Sequence, residues 1–161
     1  MNGQELQDYL HEHIPLSRAM GVEVVSVGED SVVLQAPLAP NINHRETLFG
    51  GSASAIAILS AWSLVHTRLH AAGMAQPIVI RNNTMRYDLP VDDTVTARSY
   101  LPPKSDWQSF TGRLEERGMA RIIVDADLER HGKRTAHLSG EFVAFSQDTL
   151  RRLSNFYPNS R

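Results

Sequence analysis

From Thr47 to Val65 the chain carries no charged side chain, and its apolar residues recur at helical spacing. Ala53, Ile56, Ala57, Ser60, Ala61, Leu64 and Val65 fall on one face at steps of three and four. Ile58, Leu59 and Trp62 make the opposite side apolar too. A helix that is apolar all round must be covered all round. The stretch is a little short for a membrane span and carries Ser52, Ser54, Ser60 and Ser63, so it reads as a buried helix. Gly50 and Gly51 open it, and "HAAGMAQP" closes it through Gly73 and Pro77.

The segments around this helix must supply its cover. Glu5 to His13 reads as a short amphipathic helix, with Leu6, Tyr9 and Leu10 on one side and Pro15 closing it. Met20–Val27 and Ser31–Pro37 alternate with period two across "GED", a hairpin. Asn41 to Phe49 is polar and irregular. After the long helix five strands are expected: Ile78–Asp88, Thr94–Leu101, Trp107–Glu115, Ala120–Arg130 and Arg134–Phe145. In the fourth, Ala120, Ile122, Val124, Ala126 and Leu128 face one way and Arg121, Asp125, Asp127 and Glu129 the other, with Ile123 breaking the rule. That is the pattern of an antiparallel sheet with one dry face. Residues 1–161 are expected to form one domain of α+β class, a curved antiparallel sheet wrapped around one long central helix. One sheet cannot cover the helix on every side, so a second copy is expected, as a homodimer or a dimer of dimers.

Composition narrows the function classes. Apolar residues make up 42% and charged residues 21%, a globular balance. The net charge of −2, without long blocks of one sign, gives no nucleic-acid footprint. There is no cysteine, which removes disulfides, thiolate metal sites and a Cys nucleophile. The N-terminal residues lack a basic-then-apolar leader pattern, so the expected location is cytoplasmic, with no membrane partner. His66 and His70 stand four apart, but Thr67 occupies the place where the zincin pattern needs Glu. They are expected to face solvent near Arg68, and no metal is expected.

Two motifs, "NINHRETLFGGS" (residues 41–52) and "YDLPVDDTVTA" (residues 87–97), resemble those of hotdog-fold thioesterases. More narrowly, the chain is similar to the thioesterase domain found fused to an acetyltransferase in some bacterial proteins. The resemblance implies the hotdog fold and hydrolysis of an acyl thioester, with coenzyme A or phosphopantetheine as part of the substrate and no cofactor. Many such enzymes carry His-Gly-Gly where this chain has Phe49-Gly50-Gly51, with an asparagine six positions earlier, matched by Asn43. They often use a helical carboxylate nine positions after that histidine; here the place is taken by Ile58, and no Asp or Glu occurs from Thr47 to Tyr87.

Hydrolysis of a thioester passes through an oxyanion, and a glycine-rich helix start offers unpaired N–H groups to it. Gly50 and Gly51 are therefore the expected oxyanion donors, although paired glycines also permit tight helix–sheet packing. Ser52 is a cap or further donor, and Asn43 a group that places water or the carbonyl. Glu46, the carboxylate of the motif loop, is a candidate base; His44 is an alternative by type. Without a His–Asp arrangement nearby, Ser52 and Ser54 are poor nucleophiles. Arg81 and Arg86 could bind coenzyme phosphates, with Arg81, Asn83 and Tyr87 on one strand face; Lys133 and Arg134 at a turn are further candidates. His44, Phe49, Arg81, Asn83, Arg86 and Tyr87 make up the expected substrate-contacting set. Two other readings stand beside hydrolysis: a non-catalytic acyl-thioester-binding module, and a hotdog dehydratase or hydratase, for which no His-Phe-Pro-Gly-like motif is present.

Overall fold

In the computed structural model, which describes residues 1–154, the uncharged segment forms helix α3 (Gly50–Ala71). The seven face residues read from the sequence, from Ala53 to Val65, are all buried. Ser60 is fully buried, and its hydroxyl donates to the carbonyls of Val32 (3.0 Å) and Ala97 (3.2 Å). A polar side chain is tolerated there because it caps strand carbonyls rather than lying unpaired. Beyond the helix end Gly73 takes φ 70°, the left-handed conformation that stops a helix.

The cover is a six-stranded sheet in the order β1-β2-β4-β5-β6-β3, with every adjacent pair antiparallel. The strands are β1 (Glu23–Val27), β2 (Val32–Ala36), β3 (Ile78–Tyr87), β4 (Val95–Tyr100), β5 (Met119–Arg130) and β6 (Lys133–Phe145). α3 packs against β2, β3, β4, β5 and β6, so the sheet curls around it. The alternation read for β5 holds: Ala120, Ile122, Val124, Ala126 and Leu128 are buried. Among the described residues no helix is long and apolar enough to cross a membrane.

Three expectations are corrected. Trp107–Glu115 is not a strand but part of helix α4 (Trp107–Arg117). Asp106 caps it by accepting from the Gln108 and Ser109 amides, Gly118 ends it at φ 68°, and Phe110 and Leu114 face the core one turn apart. Four strands, not five, therefore follow α3. Pro15 ends α1 (Gly3–His13) as expected but also begins a short helix, α2 (Pro15–Ala19), where its missing N–H costs nothing. In β3 a bulge between Ile80 and Asn82 breaks the alternation. Asn83, Met85 and Tyr87 then lie opposite Gly140, Leu138 and Ala136 on the inner face, whereas Arg81 reaches Glu141 on the outer one. Arg81 and Asn83 do not share a face.

His66 is the third. His70 is exposed, but His66 packs against Trp62 (4.6 Å) and Tyr9 of α1 (4.7 Å) in a cluster of three rings. Its Nε2 is buried without a partner. Burial first, and the neighbouring His70 charge second, push its pKa down to about 4. The periodicity that made α3 apolar all round continues into this ring, which docks α1. A further helix not read from the sequence, α5 (Gln147–Ser154), follows β6. The last part of the expected domain, residues 155–161, lies outside the described residues.

Candidate active site at the mouth of the central helix

The loop before α3 is pinned from both sides. Asn41 is buried, and its Nδ2 donates to the carbonyls of Met20 and Pro37, each at 2.8 Å. The Leu48 amide donates to Val91 O (2.7 Å) and the Phe49 amide to Asn41 O (2.8 Å). Between these anchors Asn43 organises the turn. Its Oδ1 accepts from the Arg45 amide (2.8 Å) and the Thr47 amide (3.2 Å), while its Nδ2 donates to Thr47 Oγ1 and Leu48 O. Asn43 thus spends its amide on the loop.

The result is a helix start with its donors left open. Ala53 is the first α3 residue whose amide is paired, to Phe49 O at 2.9 Å. The amides of Gly50, Gly51 and Ser52 have no hydrogen-bond partner among the described residues. Phe49, at the N-cap position, supplies no side-chain cap, and the first turn holds no acidic residue. The positive end of the helix dipole is therefore uncompensated by the protein. The Phe49 ring folds against Gly51, where any larger residue would collide with it. Tyr87 comes in from the end of β3: its hydroxyl donates to Gly50 O (3.2 Å), and its ring stands 3.7 Å from where a Gly50 Cβ would be.

Beside this mouth lies a cavity of about 250 Å³. Leu48 and Ala53 line it from the mouth and helix, Tyr87, Leu89 and Val91 from the strand link, and Leu128 and Ala136 from the sheet. Of these lining residues the sequence reasoning singled out Tyr87 for the site but not the others, although Leu89 and Val91 sit inside the quoted "YDLPVDD" motif. The remaining expected site residues are spread out. His44 and Glu46 are exposed in the loop, with Glu46 at φ 60°. Asn83 is exposed on β3. The guanidinium groups of Arg81 and Arg86 are engaged by Glu141 (2.8 Å) and Asp88 (3.1 Å). Asp88 borders the cavity, yet its carboxylate is directed to Arg86. Among the described residues no group of His, Asp or Glu is gathered closely enough to hold a metal ion.

A sequence match over residues 3–146 connects this mouth to a family described as "Putative thioesterase (yiiD_Cterm)". The chain belongs to that thioesterase family. Solved structures agree on the hotdog fold. A protein of unknown function from Chlorobaculum tepidum TLS is 28% identical with a TM-score of 0.83, over 90% of this chain and 94% of that one. A structure described as a putative thioesterase from Shewanella oneidensis is 27% identical with a TM-score of 0.79, over 89% and 96%. A Haemophilus influenzae thioesterase shares the fold at 17% identity and a TM-score of 0.69, over 91% and 92%. The Phe49-Gly50-Gly51-Ser52 start of α3 lies within the matched residues.

Proposed function

We propose that this member of the thioesterase family hydrolyses acyl thioesters of coenzyme A or of phosphopantetheine on a carrier protein. The observation that carries the reading is the run of unpaired amides at Gly50, Gly51 and Ser52 beside an apolar cavity. Water adds to the thioester carbonyl. Negative charge grows on its oxygen, and the helix amides and dipole stabilise that charge. The C–S bond then breaks, giving the free acid and the thiol. Glu46 is the candidate base of the loop, and Asn43 acts by fixing the loop that presents the amides. Tyr87 holds the Gly50 carbonyl and walls the cavity, and Phe49 covers Gly51.

The functional unit in this proposal is at least a homodimer. β3 is an edge strand of ten residues with Val79 and Tyr87 exposed, and Ser54, Ala55 and Ile58 of α3 are only partly covered. Unpaired strand edges of this length invite pairing with another chain. Thiol release from acyl-CoAs of graded chain length and from an acylated carrier protein, followed with a thiol reagent, tests the proposal. Turnover on one of these supports it, and turnover that survives Glu46→Ala removes Glu46 from the mechanism.

One observation favours a second reading. Among the described residues no carboxylate or imidazole is bonded to the open amides, and Asp88, the carboxylate that lines the cavity, is paired with Arg86. An acyl-thioester-binding module would look the same, and tight binding without release of thiol at any chain length would select it.

A further inference from the structure

At the opposite end of the molecule, helix α4 leans on the start of β5 and leaves two adjoining crevices. One, of about 360 Å³, is lined by Lys104, Arg113 and Arg121 together with Asp106, Ser109 and Glu141. The other, of about 290 Å³, is lined by Arg113, Arg117 and Arg121 with Met119 and Ala120. Arg113 and Arg121 border both. Four cations therefore converge from three separate segments: the turn before α4, α4 itself, and β5.

Among the described residues seven arginines differ from these cations: Arg68, Arg81, Arg86, Arg98, Arg130, Arg134 and Arg151 each stand within ion-pair distance of a carboxylate. Lys104, Arg113, Arg117 and Arg121 have no such partner among the described residues. Neither carboxylate on the crevice wall is ion-paired to these four cations. Asp106 Oδ1 accepts the Gln108 and Ser109 amides at 3.0 and 3.2 Å, and Glu141 pairs with Arg81 at 2.8 Å. Glu115 and Glu116 belong to α4 but line neither crevice. In a chain of net charge −2, unneutralised positive charge is concentrated at one concave place.

We propose that the α4–β5 crevices form a binding site for an oligophosphate, with Arg113 and Arg121 as the shared clamp and Lys104 and Arg117 on either side. Guanidinium groups hold phosphate oxygens in pairs, and a ligand with two or more phosphates matches cations set around two adjoining hollows. Arg68 near the end of α3 lies over the Trp107 ring at the start of α4, so the site is at the far end of the central helix from Gly50. The proposal stands whether or not the chain hydrolyses thioesters.

Calorimetric titration of the whole chain with inorganic pyrophosphate and, separately, with coenzyme A tests it. Saturable binding of either probe is expected. The affinity should fall at least tenfold in the double variant Arg113→Gln/Arg121→Gln and stay unchanged in Arg18→Gln, which removes an exposed cation elsewhere. Tighter binding of coenzyme A than of pyrophosphate assigns the site to the nucleotide end of a coenzyme; equal affinities assign it to oligophosphate alone. No saturable binding of either probe overturns the proposal. So does binding that the double variant leaves intact, or that Arg18→Gln weakens equally. Circular dichroism of each variant confirms that the fold is retained.

Discussion

Gly50 permits an unusually clean test of the helix mouth, because a proline there removes one N–H and little else. The position is the first of α3, where proline is well accommodated. Phe49 before it already has φ −63° and ψ 132°, the extended conformation that a following proline demands. The Gly50 amide makes no bond among the described residues, so none of those is lost. A Cβ at this position would meet Tyr87 at 3.7 Å or more, ordinary contact. Gly50→Pro should therefore change the folding free energy by less than about 1 kcal/mol. If the Gly50 N–H stabilises the oxyanion, its loss should cost about 2.7–4 kcal/mol in the transition state, or roughly 10²–10³-fold in kcat. Gly50→Ala is the matched control: it adds the same Cβ, keeps the donor, and should retain kcat within about threefold. Thiol release measures turnover, and thermal melts followed by circular dichroism measure stability. A folded Gly50→Pro protein with turnover equal to that of Gly50→Ala would refute the assignment of this amide.

The remaining predictions concern the scaffold. Ile56→Ala, at a fully buried position of α3, should lower stability by about 2–5 kcal/mol in urea unfolding, since the sheet around it cannot collapse into the gap. Asp106→Ala removes the α4 cap and should cost about 1 kcal/mol in the same assay. For His66 the folded pKa of about 4 lies below the ordinary 6.5, so acidification protonates the unfolded chain first. Stability should fall as pH drops from 6.5 towards 4 and level off below. His66→Phe keeps a ring in the stack with Tyr9 and Trp62, and should flatten that part of the profile relative to the parent; an unchanged difference curve would exclude the buried imidazole as its source.

The sequence by itself determined the centre of this protein. An uncharged run apolar on every side can only be a covered helix, and the period-two pattern of residues 120–128 can only be a strand with one dry face. Gly50 and Gly51 likewise announced the open helix start, because donors without a cap follow from local sequence alone. Most of what escaped was set by partners distant in the chain. The α4 segment is the exception: residues 107–115 read as a strand although the Asp106 cap, the Phe110–Leu114 spacing and the Gly118 stop are local helix signals. The β3 bulge, invisible in its own residues, moved Arg81 to Glu141 and away from Asn83. Which cations are neutralised was likewise decided in three dimensions: Arg81 and Arg86 met carboxylates, whereas Arg113 and Arg121 met each other's hollow. Backbone periodicity is a local property and can be read along the chain. Pairing, register and charge compensation depend on which segments the folded sheet brings side by side.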